Sequence, residues 1–584
     1  MKSLFLFIKI VSLIVSLIII FFLIKDVNDE NSQTKSNTHN KEIIDNNFFI
    51  IDSNHLKDIN SHMYGYSISQ KGILTNNYYS KINYCEEPEL QGTYVMIKRT
   101  VKEIRISQDF QGSFGLYIYE NKTSQYFALS NSFALLEEYL CGKENITFNK
   151  KFADELILST YCASSLHETL INEIIKLPSN VALIINIKKK KLKIDYLDYL
   201  ENTIPLDSEE GLKIIDNWID KWGYIYRSLQ KQTNNFATDL SGGFDTRVLF
   251  SILLSSGLDI NRTIINTFKD KWKYHEEDFE IATNISSKLG FSLNKFQFDD
   301  NCTIFNMEDA LNCSIYSKLG FSKSSGFYNR FYTKPRFQFS GCGGEVIRGY
   351  PGYPINQYTK YLSLRSKEIT GHSYEFYDST NTILNRSLDL LIKNKSYKND
   401  YEITADFYSK GCMRNHCSKM SVYNFLFNIY TFFPLLDSDI KKIKYDMNDD
   451  SKDLIAYIYI RFGYELINFP FQGNRTINAS SIKKALNLAK RLPPYTIKSD
   501  YNKHFYIDLE RKSPNIGCEE KNNIYSYLNK LYKSNKFIHS FSKIYDNDIY
   551  QIANEYMRRI KVENNGYSFL AISKVINDLN KIYL

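Results

Sequence analysis

The sequence lacks the patterns that mark several specialised classes of protein. Its nine cysteines include no CxxC spacing and form an odd total, so neither a zinc module nor a disulfide framework is predicted. Free thiols in a reducing compartment fit this usage better. The net charge of +8 is small for 584 residues, and no long basic stripe accompanies it. Nucleic acid is therefore not predicted as a partner.

The length and composition predict a multidomain globular protein. A chain of 68.4 kDa is too long for one compact core, so two or more domains are expected. A hydrophobic fraction of 43% with 24% charged residues excludes a largely disordered chain and a polytopic membrane protein. The 45 Tyr and 39 Phe residues provide ample aromatic volume for a packed interior.

The amino terminus contains one long apolar run, LFLFIKIVSLIVSLIIIFFLI, at residues 4–24. A helix of this length spans about 30 Å, the hydrocarbon thickness of a bilayer. Because no small residues suggest a cleavage site, we predict an uncleaved single-pass anchor over residues 1–25 and a polar tether over 26–47. The lysine distribution weakly favours a body outside the cell. The nucleotide chemistry described below instead favours a catalytic domain on the cytoplasmic side, and the orientation stays open.

The sequence of residues 48–200 consists mostly of short β-rich runs, some with alternating hydrophobic and polar residues, separated by polar turns. The pattern predicts strands in TYVMIKR (93–99), SFGLYIYE (113–120) and SQYFALS (124–130). VALIINI (181–187) and LKIDYLDY (192–199) are joined by four lysines and predict a hairpin whose turn is solvated.

The pattern of hydrophobic residues changes after Pro205, where helical and strand-like segments alternate. Helical patterns cover 207–231, 248–257 and 276–291, and strand-like stretches cover 234–240 and 262–268. This alternation predicts a parallel sheet, followed from about residue 305 by a largely helical part. The expected fold is thus α/β plus α+β: an anchor, a β-rich domain over 48–200, and a parallel-sheet domain over 201–584.

The segment DLSGGFDTR (239–247) is the most informative in the chain. Gly242 and Gly243 can turn tightly between a strand and a helix, exposing backbone N–H groups at the positive end of the helix dipole. Asp245 beside this anion site suggests a divalent cation that bridges it to phosphate oxygens, and the Ser241 and Thr246 hydroxyls can donate to the same anion. The spacing matches neither GxxxxGK[ST] nor GxGxxG. Glycines needed only for packing are the alternative.

At these residues the sequence resembles the asparagine synthetase family, whose ATP-pyrophosphatase loop reads SGGxDS. Thr246 stands in place of the usual Ser. A second segment, QFSGCGGEVIRGY (338–350), is similar to the family's SGEGADELFGGY, with Glu345 in place of an aspartate that helps to hold magnesium. Cys342 replaces a glutamate and Arg348 an aromatic residue, whereas Gly349 and Tyr350 fit the family's ending.

Weaker matches follow in the family's order. Thr267 and Phe268 end a strand where the family contacts adenine, and Asp278 with Ala282 resembles its DxxxA helix. FPLLDSDI (433–440) is similar to its MPFLDHRV packing segment. The likeness covers roughly residues 48–440.

Residues 48–200 also resemble the family's amino-terminal glutaminase domain, an Ntn-hydrolase-like fold. That domain acts through an amino-terminal cysteine, whereas Lys2 follows Met1 here. We therefore expect an inactive domain that is retained as a scaffold. Cys85 is a poor replacement nucleophile because an internal cysteine lacks the free amine.

The resemblance implies ATP-dependent activation of a small-molecule carboxylate as an acyl-adenylate, with pyrophosphate released and ammonia or an amine displacing AMP. ATP and Mg²⁺ are the implied cofactors, and a homodimer is kept open. Asp245 and Glu345 are the implied catalytic and metal-binding residues. The implied ATP-binding residues are Ser241, Gly242, Gly243, Asp245, Thr246, Thr267, Ser340, Gly341 and Gly343.

Two alternatives to this ligase activity stay open at this point. One is a catalytically decayed relative with a nucleotide-binding or scaffolding role, which the substitutions at Cys342 and Arg348 favour. The other is a different pyrophosphatase-loop enzyme, which the second glycine segment and the β-rich leading domain disfavour. No local motif singles out the late lysine that the family uses in adenylation.

Overall fold

The computed structural model describes residues 43–158, 165–197, 204–257, 259–267, 275–294, 302–304, 307–318, 330–332, 334–348, 354–358, 360, 374–394, 399–444, 452–497, 504–507, 574–575 and 578–579. Most of the predicted tether lies outside these ranges, but residues 43–47 are helical, and Ile43 and Ile44 pack against the core.

The amino-terminal part is built mainly from antiparallel strands, as the alternating sequence predicts. Its strands are β1 (Ile50–Asp52), β2 (His62–Ser69), β3 (Gly72–Leu74), β4 (Gly92–Arg99), β5 (Glu103–Gln108), β6 (Tyr117–Asn121), β7 (Tyr126–Ser130), β8 (Ile174–Lys176), β9 (Val181–Asn186) and β10 (Lys191–Tyr196). Its helices are α1 (Asn76–Lys81), α2 (Phe133–Leu140) and α3 (Lys150–Leu158).

These strands form two sheets. One sheet has the order β1-β7-β6-β8, and the other has the order β10-β9-β5-β4-β2-β3, with a late strand, Tyr506–Ile507, added parallel to β3. The predicted hairpin is confirmed: Val181 pairs with Tyr196 and Asn186 with Lys191, so the lysine-rich turn lies at its tip. Alternate burial along β5 shows that one face of this sheet covers the core.

The second part alternates strands and helices around a parallel sheet. Its first elements are β11 (Ile204–Pro205), α4 (Glu209–Gln232), β12 (Phe236–Asp239), α5 (Phe244–Ser255), β13 (Ile264–Asn266), α6 (Glu276–Leu289), β14 (Cys302–Ile304), α7 (Met307–Lys318), β15 (Arg330–Tyr332), β16 (Arg336–Phe339) and α8 (Gly344–Ile347). The sheet order is β13-β12-β16, followed by β17 (Ile429–Phe432), and all neighbours are parallel. The predicted parallel sheet is therefore confirmed.

The rest of the second part is largely helical. Its helices are α9 (Tyr374–Asn394), α10 (Asp400–Phe407), a π-helix (Tyr408–Ser418), α11 (Lys419–Leu426), α12 (Asp453–Phe462) and α13 (Ala479–Ala489); the remaining strands are β18 (Ile443–Lys444) and β19 (Tyr506–Ile507). The π-helix is unusual because π geometry normally appears as a single widened turn, often near functional sites.

The two parts share one continuous hydrophobic core. Tyr66 of β2 is fully buried, donates a 2.8 Å hydrogen bond to the carbonyl of Thr431 in β17, and lies 4.8 Å from the ring of Tyr430. This packing places the antiparallel sheets against the parallel sheet.

The predicted membrane anchor is corrected by the structure. An anchor needs a helix of about 20 predominantly apolar residues. Within the described part of the chain no helix meets that requirement, and the longest helix, the 24-residue α4, carries charged residues along its length. Residues 4–24 lie outside the described ranges. The observed fold is mixed α/β with parallel and antiparallel sheets, and neither the anchor nor a single-pass location with a cytoplasmic-side catalytic domain is supported.

The prediction that the cysteines are free thiols is wrong for one pair. Cys342 and Cys417 form a disulfide, with their Cα atoms 6.4 Å apart and a separation of 75 positions in the sequence. Local spacing does not reveal this pair because only the packing of the second glycine segment on the π-helix brings the two residues together.

Candidate functional site

The first glycine turn lies where the sequence places it, between β12 and α5. Gly243 is the last residue before α5, and its extended backbone feeds directly into the helix. The Ser241 and Thr246 hydroxyls are 2.8 Å apart, and the Ser241 N–H donates to the Thr246 hydroxyl over 3.1 Å. The two hydroxyls that were predicted to face an anion therefore hold each other across the turn.

The amide groups of this turn also have partners within the protein. The Gly242 N–H donates to Asp278 Oδ1 over 2.8 Å, and the Gly243 N–H donates to the Ser241 hydroxyl over 3.0 Å. Asp278, which the sequence resemblance assigned to the DxxxA helix, thus accepts the hydrogen bond that an anion would accept. To bind these amide groups, an anion would have to displace Asp278 and the Ser241 hydroxyl as their hydrogen-bond acceptors.

The second glycine turn connects β16 to the short helix α8. Gly343 has φ +96°, a left-handed conformation that favours glycine, and its N–H donates to Glu345 Oε2 over 3.3 Å. The Cys342 N–H donates to the Ser340 hydroxyl over 3.3 Å. This turn thus orients the Glu345 carboxylate with its own backbone.

The two turns meet because β12 and β16 are parallel neighbours, so both turns lie at the carboxyl edge of the sheet. A Cβ atom added to Gly341 would lie 2.7 Å from the Thr246 nitrogen. A Cβ atom added to Gly344 would lie 2.3 Å from the Asp245 side chain. Only glycine permits this approach.

The approach brings the two predicted carboxylates into electrostatic contact. Burial raises the pKa of Glu345 to about 7, and the negative charge of Asp245 adds to the increase. Burial also raises the pKa of Asp245, whereas the nearby Arg348 guanidinium opposes that increase. Because ionisation of both carboxylates is unfavourable here, a nearby cation would stabilise their ionised forms.

Arg348 already supplies one cation to this pair. Its Nε lies 3.1 Å from Asp245 Oδ1 and its Nη2 lies 3.3 Å from Asp245 Oδ2, a forked contact between two largely buried side chains. Arg475, late in the chain, also opposes the increase in the pKa of Asp245 through its positive charge. The sequence marked Arg348 only as a departure from the family pattern.

Sequence reasoning missed Arg247, although it lies in the same motif. Its fully buried guanidinium donates to the carbonyls of Gly242 (2.8 Å) and Pro470 (2.5 Å) and covers the ring of Phe471 at 3.8 Å. The Gln472 N–H adds a 3.0 Å bond to the Gly242 carbonyl. Arg247 therefore ties the first turn to the segment around residue 470. Nothing in the sequence of the motif indicated that its arginine would be buried.

The weaker family matches are partly placed near the site. Thr267 follows β13, and within the described ranges its buried hydroxyl has no hydrogen-bond partner. Ala282 is buried in α6. Phe268, Gly349 and Tyr350 lie outside the described residues. In the predicted packing segment, the buried Asp437 accepts from Trp222 Nε1 over 2.8 Å.

Comparisons with known proteins add little. No protein-family model matches the chain, and no curated protein matches it. One similar solved structure is the glutamine phosphoribosylpyrophosphate (PRPP) amidotransferase from B. subtilis, complexed with ADP and GMP. The identity is 9%, the TM-score is 0.11, and the match covers 48% of this chain and 46% of the amidotransferase chain. This is a distant structural similarity to an amidotransferase, and at this TM-score it supports no argument about activity or ligands.

Proposed function

We propose that the chain binds ATP at the two glycine turns and activates a carboxylate as an acyl-adenylate, releasing pyrophosphate before an amine displaces AMP. The observation that carries the proposal is the proximity of Asp245 and Glu345, which lie in the first turns of α5 and α8, directly after adjacent parallel strands. Oxygen ligands of this kind suit a magnesium ion that is shared with phosphate oxygens.

The residues of the turns fit distinct tasks in this reaction. Asp245 and Glu345 would hold Mg²⁺, which supplies positive charge to the phosphates when bound. The Ser241 and Thr246 hydroxyls lie at the start of α5, where the helix dipole favours an anion, and can exchange their mutual bond for phosphate oxygens. The Thr267 hydroxyl, which is buried and has no partner among the described residues, would orient the nucleoside once the site opens to admit it. Catalysis would then come from positioning and charge neutralisation.

Arg348 controls access to this site, because its guanidinium holds both Asp245 oxygens. A guanidinium binds carboxylate and phosphate with the same forked geometry. We infer that Arg348 exchanges Asp245 for a phosphate oxygen when the nucleotide arrives, which frees the carboxylate to coordinate the metal. The structure then represents a closed form of the site.

The nitrogen would come from ammonia or from an amine on a substrate. A glutaminase of the family type needs an amino-terminal cysteine, whereas Cys85, the cysteine weighed as its replacement, is an exposed internal residue. The amino-terminal sheets pack on the parallel sheet through Tyr66 and Thr431, so a scaffolding role suits them.

A second candidate function is nucleotide binding without catalysis. The contact between Arg348 and Asp245 favours it, as do the internal partners of the Gly242 and Gly243 amides. In such a protein Arg348 would replace the metal permanently, and nucleotide binding would not require Mg²⁺.

The test is exchange of labelled pyrophosphate into ATP by the full chain, with pools of carboxylates and with Mg²⁺. Asp245→Asn should abolish exchange because it removes a metal ligand. Asp216→Asn is the matched control, since Asp216 makes a comparable forked contact with Arg461, at 3.2 and 2.8 Å, in α4 and away from the turns. The control should retain exchange.

The outcomes separate the two functions. Exchange that depends on Mg²⁺ and on Asp245 supports the ligase. ATP binding without exchange, unchanged by removal of Mg²⁺, supports the non-catalytic function. If the chain does not bind ATP at all, both proposals fail.

A further inference from the structure

A cluster of sulfur and imidazole ligands lies beside the second glycine turn. Cys342, His416 and Cys417 each offer one ligand atom, and these atoms all lie within 4.8 Å of one another. Cys417 is buried, whereas Cys342 and His416 are partly exposed. The two sulfurs are joined as a disulfide in this structure.

The surrounding structure holds the ligands in place. His416 and Cys417 are neighbours in the π-helix, whose wider turn displaces side chains from ordinary helical positions. Arg414 fixes this helix to the amino-terminal part, donating to the carbonyls of Gly112 (3.0 Å) and Leu177 (2.7 Å). The other ligand, Cys342, lies between the constrained Gly341 and Gly343 of the turn.

An apolar shell surrounds the cluster. Val346, Met413 and Leu436 are buried around it, and Met413 Sδ lies 3.9 Å from Cys417 Sγ. Lys318 of α7 is a positive side chain that acts on His416 electrostatically. Two thiolates would outweigh this charge and leave the cluster attractive to a divalent cation.

We propose that the reduced Cys342–His416–Cys417 cluster binds one Zn²⁺, and that the disulfide is the oxidised, metal-free form of the same site. Two thiolates and an imidazole are ligands that zinc prefers, and three protein ligands leave one coordination position open.

A dithiol reductant would convert the oxidised form of the site into the reduced form. The reductant gives two electrons and two protons to the disulfide, which yields two thiols and a disulfide in the reductant. Zinc binding then displaces one proton from each thiol. Both forms tie the second glycine turn to the π-helix, and only the reduced form needs His416.

This inference is independent of ATP chemistry and is tested by metal binding to the full chain. The reduced, metal-free protein is titrated with Co²⁺ as a spectroscopic probe and then with Zn²⁺ in competition. We expect one Co²⁺ per chain, a thiolate-to-cobalt charge-transfer band, and displacement by Zn²⁺. The oxidised protein should show no such band.

Variants separate the cluster from other thiols. Cys342→Ser should remove the band, and His416→Gln should weaken binding by about 10-fold or more. Cys85→Ser, which changes an exposed cysteine elsewhere, and His275→Gln should leave binding unchanged. Binding that persists in Cys342→Ser, or equal binding before and after reduction, would overturn the proposal.

A readout on the unmodified chain guards against variants that fail to fold. Zinc should raise the melting temperature of the reduced wild-type protein, because a ligand that binds only the folded state stabilises it. No shift at saturating zinc would also overturn the proposal.

Discussion

Replacing Glu345 by Gln tests whether the two glycine turns bring their carboxylates together. Burial and Asp245 raise the pKa of Glu345 from 4.5 to about 7. An acid whose pKa is higher in the folded state binds more protons when folded, so stability falls as pH rises between these two values. Glutamine is neutral throughout and can still accept the Gly343 N–H bond, so the variant avoids this loss.

The difference in the free energy of unfolding between the variant and the wild type follows from the pKa difference. A change from 4.5 to about 7 corresponds to about 3 kcal/mol, fully expressed above pH 7 and absent below pH 4.5. Glu345→Gln should therefore match the wild type near pH 4.5 and exceed it at pH 8 by up to about 3 kcal/mol.

Thermal unfolding followed by circular dichroism from pH 4.5 to pH 8 checks this expectation. Glu209→Gln is the control, because Lys213 lowers the pKa of the exposed Glu209, so this group titrates below the assayed range and the variant should differ from the wild type by a constant amount between pH 4.5 and pH 8. If the Glu345→Gln variant has the same advantage in stability at both ends of the pH range, or is less stable than the wild type at pH 8, the described environment of Glu345 is refuted.

Two further changes test the packing around the site. Gly344→Ala should displace the Asp245 carboxylate and lose about 1–3 kcal/mol of stability, since the added Cβ would lie 2.3 Å from it; Gly243→Ala, whose Cβ would meet only the Ser241 hydroxyl at 3.2 Å, should cost less in the same melting assay. Asp437→Ala should destabilise the chain by about 3 kcal/mol, because the buried carboxylate accepts from Trp222 and pairs with Lys221 at 2.6 Å. Asp439→Ala, at a half-exposed partner of the same lysine, should cost less in urea unfolding, and equal losses would contradict this account.

Local patterns predicted the elements that local physics determines. The strand 93–99 and the hairpin at 181–199 follow from alternating hydrophobicity, and both are present. The helix predicted over 276–291 is present as α6, which ends at Leu289, and Gly290 caps it with a φ of +74°. Both glycine turns lie at strand–helix junctions, which the sequence predicted for the first of them.

Features that depend on distant parts of the chain were not predictable in this way. Tyr506 and Ile507 add a strand to the amino-terminal sheet from more than 400 residues away, and nothing in their sequence announces that pairing. Arg247 would ordinarily be expected on the surface, yet four backbone contacts to Gly242, Leu466, Phe469 and Pro470 satisfy it inside. Similarly, the spacing of Cys342 and Cys417 carries no signal.

Arg348, at the end of α8, accounts for the electrostatic state of the site. An aromatic residue at position 348 would leave two interacting carboxylates with no adjacent cation from the end of α8, and burial would oppose their ionisation. Arg348 removes part of that cost by pairing with Asp245, while the pKa of Glu345 stays raised. The structure therefore balances one of the two acidic charges and leaves Glu345 favouring its protonated form. Under the proposed function, Mg²⁺ should compete with this proton at Glu345, so that binding of Mg²⁺ weakens as the pH falls below about 7.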